Sequence, residues 1–191
     1  MCLMDSRYVV FDLEATCWPR GHEEAPSEII EIGAVRMDPD RPETRGNSAG
    51  EDEFQTFVRP FMAPGLSPFC TELTTIRQSD VDAAPGFPEA LGAFYRWAAA
   101  EGGFTLAAWG DYDGNQLGRD CRKHGIDNPF AAVPYINIKK PFARHLKLSR
   151  GMGLGGALRK LGLKPEGTPH RAIDDARSVV RILRAGVLEA L

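Results

Sequence analysis

Residues 8–11, Tyr-Val-Val-Phe, form an unbroken apolar run, the pattern of a strand covered on both faces. With its flanks it predicts a strand over 7–13. A second strand is predicted over 28–37, with Ile30, Ile32 and Ala34 on one face and Glu31, Gly33 and Val35 on the other. Residues 53–59, EFQTFVR, alternate in the same way and predict a third. Between the last two lies DPDRPETRGNSAGED, polar and turn-forming, which reads as a flexible hairpin loop over 38–52, long and acidic for such a connection. PRGHEEAPS, 19–27, reads as a second loop beside the first strand.

Prolines and turn residues crowd 60–86, where the pattern allows a short helical piece near 71–83. Pro88 at a helix entry and glycines at its end predict a helix over FPEALGAFYRWAAAEG. FTLAAWG, 104–110, predicts a buried strand, and YDGNQLGRDCRKHG, 112–125, a helix closed by Gly125. Tyr135 to Ile138 predicts a short strand; helices follow at about 139–147, 154–161 and 172–187. Three strands and then alternating helices and strands indicate an α/β domain, a mixed central sheet of about five strands flanked by helices. No internal repeat interrupts the 191 residues, and a single domain over 1–191 is expected.

Composition adds exclusions. No run of 18 apolar residues could span a membrane, and MCLMDSR lacks the basic start and apolar centre of a secretory signal. Cys2, Cys17, Cys70 and Cys121 are scattered, with no CxxC, so neither a disulfide framework nor a zinc site is expected and a reducing cytoplasm suits the chain. The net charge of −3 conceals a polarity: residues 1–116 carry 8 basic and 20 acidic side chains, residues 117–191 carry 15 and 6. Such polarity draws a polyanion to one face and cations to another, unless the halves intermingle on folding.

The opening strand ends in Asp12 and Glu14, two carboxylates one residue apart. Residues i and i+2 of a strand project together, here at the carboxyl end where open α/β sheets bind ligands. Like charges so close hold a proton abnormally tightly unless a hard cation such as Mg²⁺ or Mn²⁺ lies between them. Asp111 and Asp113 follow the strand ending in Trp109-Gly110; Asp111 sits where an N-cap belongs, leaving Asp113 for chemistry. Thr168 to Asp175, TPHRAIDD, opens the last helix, with His170 just before it and Asp175 in its first turn. A histidine there can take a proton from a water. Asp174 reads as an acid complementing the helix dipole.

DxE after the first strand, an Asp after a WGxYD turn and HxAxxD at the last helix resemble the DEDD 3′–5′ exonucleases of the histidine type. EIIEIGAV, LSPFCTELTTI and GALRKLGL are similar to the branch containing the histone-mRNA and RNA-interference exoribonucleases. The resemblance runs from about residue 7 to 185 and implies a ribonuclease-H-like fold. It implies Asp12, Glu14, Asp113 and Asp175 as ligands of two divalent cations, Mg²⁺ or Mn²⁺, roughly 4 Å apart, with His170 as general base. It also implies Leu13, Thr16, Cys17 and Trp18 as contacts of the terminal nucleotide; Trp18 offers a stacking ring, or else anchors the core or loop. The implied activity is release of nucleoside 5′-monophosphates from the 3′ end of single-stranded RNA or short oligonucleotides. A DNA preference remains open, since no residue advertises a contact to the 2′-hydroxyl. A non-cutting nucleic-acid-binding module is the rival from another class, yet all five catalytic positions are filled. No protein partner is evident.

Other patterns carry less. Cys17 reads as packing. Gly151, Gly153 and Gly156 spell GxGxxG, but HLKLSR before them is a poor strand and no GK[ST] follows, so a glycine-rich helix entry is expected. Lys139, Lys140, Arg144, Lys147, Arg150, Arg159 and Lys160 are candidates for gripping backbone phosphates or form a solvated face. His22, His124 and His145 are assigned no chemistry.

Overall fold

The computed structural model describes residues 7–38 and 52–187. Five strands form one sheet in the order β3-β2-β1-β4-β5: β1 (Arg7–Ala15), β2 (Ile29–Met37), β3 (Asp52–Phe57), β4 (Phe104–Ala108) and β5 (Tyr135–Asn137). β1 pairs antiparallel with β2 and parallel with β4; β2–β3 is antiparallel and β4–β5 parallel. The mixed sheet of the sequence reading is therefore present. The 38–52 loop lies, apart from its two ends, outside the described residues.

Helices cover both faces. Val9, Phe11 and Leu13 of β1 face one core with α3 (Phe87–Ala99) and α4 (Tyr112–Lys123), built around Phe87, Leu91, Phe94, Leu117 and Cys121. Tyr8 and Val10 face the other core, made by α5 (Lys139–His145), α6 (Leu154–Lys160) and α7 (Ala172–Ile182). β1 is thus sandwiched, as its continuous apolar run requires. Every residue of β2 is buried as well, so the expected two-sided pattern there divides two cores rather than core and solvent.

Some boundaries differ from the sequence reading for local reasons. The helical piece near 71–83 is two helices, α1 (Pro68–Thr74) and α2 (Gln78–Asp82), broken where Thr75 turns left-handed at φ 61°. The Ser67 hydroxyl caps α1 by accepting from the Cys70 N–H at 3.0 Å, three residues before the expected start. β4 stops at Ala108, because Gly110 bends back to bond the Ala108 carbonyl at 3.0 Å. The last helix ends at Ile182; a π turn, Leu183–Val187, then carries the kink at Gly186.

One contact sets the position of α7. Gly33 of β2 lies under the start of that helix, and a Cβ there would fall 2.1 Å from the Ile173 nitrogen. Only glycine admits this approach. Beside it the fully buried Glu31 carboxylate accepts from the Arg171 side chain at 3.1 Å through two nitrogens and from the Ala172 N–H at 3.1 Å. It also accepts from Gln55 of β3 at 2.6 Å. Replacing Gly33 by alanine must push helix from sheet, an overpacking cost of about 3 kcal/mol. Urea denaturation of Gly33→Ala is expected to show a lowered midpoint with unchanged slope; an unmoved midpoint would contradict the contact.

Candidate active site

The side chains of β1 alternate, so Asp12 and Glu14 follow Tyr8 and Val10 onto the face covered by α7. Asp12 pairs with Gly33 across β1–β2 and Glu14 with Glu31, after which the register slips between Glu14 and Ala15. The glycine that admits α7 therefore stands directly beside the first candidate carboxylate. Asp175, in the first turn of α7, is delivered to the same place.

Asp113 comes from the opposite side. It lies in the first turn of α4, buried at 4% exposure. Burial pushes its carboxyl up to about 6, against the opposing pull of its own N–H, the Leu13 N–H and the Lys139 ammonium. Burial likewise pushes Asp12 well above the carboxylate range, reinforced by the charges of Asp113, Glu14, Asp175 and Glu31. Glu14 is pushed up to about 8 by burial and then by Asp175, Glu31 and Asp113. Asp175 is raised by burial, while the His170 N–H and imidazole pull it down. The four carboxyl groups are near enough to disturb one another's protons.

His170 is exposed and left-handed, φ 61°, and its backbone N–H donates to Asp175 at 3.2 Å. Ligand atoms of Glu14, His170 and Asp175 all lie within 4.8 Å of one another. The loop before His170 is laid onto α7 by named bonds. The Glu166 N–H donates to the Ser178 hydroxyl at 2.9 Å, and the Thr168 N–H to Asp174 at 2.8 Å. Gly167 turns at φ 63°, where a Cβ would sit 2.2 Å from the Asp174 carboxyl carbon. Arg177 holds Asp174 at 2.7 Å and Glu53 of β3 at 2.6 Å. Asp174 thus does more than complement the helix dipole: it anchors the loop that carries the histidine.

The donor set fits hard divalent cations. Glu14, Asp175 and the His170 imidazole offer ligand atoms to one point, Asp12 and Asp113 lie near enough for their charges to act on Glu14 and on each other, and the acids hold their protons more tightly than free carboxylates do.

The other candidates fall out differently. Asp111 occupies the N-cap position of α4, but its side chain makes no capping bond, which corrects the expected role. Its backbone conformation is already helical, φ −100° and ψ −4°, rather than the extended one from which an N-cap side chain reaches the free N–H groups. Leu13, Thr16 and Trp18 are buried, and the Trp18 indole N–H has no partner among the described residues. The Thr16 hydroxyl accepts from the Glu28 N–H at 2.9 Å. Cys17 is partly exposed; its carbonyl accepts from the Ser67 hydroxyl at 2.6 Å. Its thiol hydrogen-bonds that of Cys70, which lowers Cys70 to about 7 and raises Cys17. Gly153 is the N-cap of α6, as a helix entry requires.

Sequence reasoning missed the exposed apolar side chains around this site. Phe69 and Leu73 stand outward on α1, 39% and 36% exposed, while Cys70 and Thr74 of the same helix are buried. Tyr112, next to Asp113, is exposed, with the Arg119 guanidinium 5.6 Å from its ring centre. A signal existed in PFCTELT, which offers two apolar stripes on seven residues when only one can face a core.

Comparison with known proteins shows the family. The family model described as "Exonuclease" matches residues 9–183. The chain is 33% identical over 180 residues to mouse 3′-5′ exoribonuclease 1, covering 91% of this chain and 50% of that protein. It is 30% identical over 210 residues to 3′-5′ exonuclease Snipper of Drosophila melanogaster, covering 96% of this chain and 71% of that one. The chain spans about half the length of the curated relatives it matches first. Among solved structures, the nuclease domain of 3′hExo, a DEDDh family member bound to rAMP, superposes with a TM-score of 0.84 at 31% identity. That match covers 96% of this chain and 92% of the other. A 3′-exonuclease structure concerned with 3′-end recognition of a histone mRNA stem-loop gives 0.86 at 30% identity, covering 99% and 67%. With nearly the whole chain matched, it belongs to the exonuclease family, and its fold is that of the DEDDh nucleases.

Proposed function

We propose that the chain is a metal-dependent 3′–5′ exonuclease that removes nucleoside 5′-monophosphates from single-stranded RNA or short oligonucleotides. The observation that carries this reading is the meeting of Asp12, Glu14, Asp113, Asp175 and His170 from three distant segments. Two divalent cations, Mg²⁺ or Mn²⁺, held by the four carboxylates would neutralise the phosphodiester and acidify the attacking water. His170, exposed and tied through its backbone to Asp175, takes the proton of that water at a ring nitrogen. The water oxygen bonds to phosphorus and the bond from phosphorus to the 3′ oxygen breaks; that oxygen stays on the shortened strand, takes a proton from solvent and becomes its new 3′-hydroxyl, while the terminal nucleotide departs as a 5′-monophosphate. His170, left-handed and just before α7, is exposed to solvent.

RNA as substrate draws support from the relatives: an exoribonuclease by name, and structures with rAMP and a histone mRNA stem-loop. Phe69 and Leu73 are the surface we assign to the terminal base. α1 is tied to the segment after β1 through Ser67, and these two side chains face outward beside it. The three described cysteines are free, which suits a reducing compartment such as the cytoplasm. Among the described residues no helix is long and apolar enough to cross a membrane.

Incubation with Mn²⁺ and 5′-labelled RNA and DNA of one sequence is expected to give a ladder shortening from the 3′ end, fastest on RNA. Chelator abolishes it, and Asp12→Ala lowers kcat by about a hundredfold to a thousandfold. Internal nicking, attack from the 5′ end, or indifference to chelator would refute the reading, and faster cutting of DNA would reverse the substrate preference. Phe69→Ala is expected to raise KM about tenfold with little change in kcat, since base stacking contributes roughly 1–3 kcal/mol; an unchanged KM removes the ring from the base site.

Stability supplies an independent check. Glu14 and Asp113 are raised to about 8 and about 6, so the metal-free folded state binds more protons than the unfolded chain. That stabilisation is complete below the unfolded values and disappears as pH rises through 6 and then 8. The Tm of metal-free protein should therefore fall between about pH 5 and pH 9, and Mn²⁺ should raise it most at the alkaline end. A metal-free Tm that climbs with pH, or a Mn²⁺ effect independent of pH, contradicts the carboxylate cluster.

A further inference from the structure

We propose that Lys139 is a substrate-binding residue whose ammonium, set in a slot between Gly110 and Gly151, pairs with a backbone phosphate of the strand entering the site. The inference deepens the exonuclease reading and rests on it. Lys139 opens α5 directly after β5, and its N–H donates to the Asn137 side chain at 3.1 Å. Its aliphatic stem lies across Gly151: a Cβ there would be 2.5 Å from Cγ and 2.8 Å from Cδ. The far end reaches Gly110, where a Cβ would be 3.3 Å from Nζ. Gly110 is left-handed at φ 128°, and both positions are places where a side chain would displace the lysine. The two glycines belong to different segments, the turn after β4 and the entry to α6, so the slot is a tertiary construction.

The slot aims the ammonium toward the start of α4, where its charge is felt by the Asp113 carboxyl. Among the described residues Lys139 forms no ion pair. A lysine stem confined by packing, ending in an ammonium without a carboxylate partner beside a candidate catalytic acid, is suited to a visiting anion. The surroundings continue the path: Lys140, Arg144, Asn137 and Tyr135 line an adjoining open cleft of about 480 Å³ with Asp111. A nucleic-acid strand whose 3′ end lies at Asp12 would pass its phosphates along this wall, where lysine serves as a point charge.

The test compares wild type, Lys139→Met and Gly151→Ala. Methionine keeps the stem and removes the charge; the alanine methyl keeps the charge and displaces the stem. Binding of a labelled RNA oligonucleotide is read by fluorescence anisotropy in Ca²⁺ across a salt series, and kcat and KM are measured in Mn²⁺. Lys139→Met is expected to weaken binding and raise KM roughly fivefold to tenfold, with kcat within about twofold and the salt slope reduced by about one. Gly151→Ala should move both in the same direction by a smaller factor. An oligonucleotide with one uncharged methylphosphonate linkage, walked through the last three linkages, should weaken wild type at one position and there leave Lys139→Met no worse.

Binding by Lys139→Met equal to wild type at every salt overturns the inference. So does a loss confined to kcat and recovered by more Mn²⁺, which would assign the ammonium to Asp113 alone. Wild-type protein that binds RNA without shortening it sinks the exonuclease reading while the binding arm still decides the phosphate contact. Wild type that shortens RNA with Lys139→Met unimpaired sinks only the contact, and wild type that neither binds nor cuts sinks both.

Discussion

α7 meets β2 at Gly33 with no room for even a methyl group, the Ile173 nitrogen lying 2.1 Å from where a Cβ would be. The rest of the site follows from that approach. Because Gly33 pairs with Asp12 across the strands, the helix that rests on it brings Asp175 to the one face of β1 that carries carboxylates. Glu31 secures the approach from beneath, its buried charge satisfied by Arg171, the Ala172 N–H and Gln55. A buried carboxylate with fewer partners would be a liability; with these it ties two strands and a helix together.

The same approach accounts for the electrostatics. Asp12, Glu14, Asp113 and Asp175 are held close by packing that does not depend on their own attraction, since they have none. Their raised proton affinities reflect first their burial and then their repulsion, both of which the hydrophobic cores on the two sides of β1 outweigh. A site of this kind gives up stability to hold like charges together. His170 stands apart from that bargain: exposed, on a loop bound to α7 through Asp174 and Ser178, it is placed by the helix without being locked inside the core.

How far the chain could be read without its fold varies from element to element. The apolar run over 8–11, the Pro88 helix entry and the alternating 53–59 segment were legible because each depends on neighbours a few residues away. The DxE pair was legible for the same reason, as period-two geometry places both acids on one face wherever the strand goes. Helix boundaries near 71–83 and 172–187 were less so, since Thr75 and Gly186 adopt left-handed turns that surrounding structure imposes.

The sequence by itself determined the element types, the shared face of Asp12 and Glu14, and the acids and histidine offered at the starts of two later helices. Only the tertiary structure decided which of those groups meet. It left Asp111 without a capping bond, buried Trp18, turned Phe69 outward and set Lys139 between two glycines far from it in the chain. The reason is physical: a residue's direction along its own element follows local backbone geometry. What covers it, and which charges reach it, follows from segments tens of residues away that pack there.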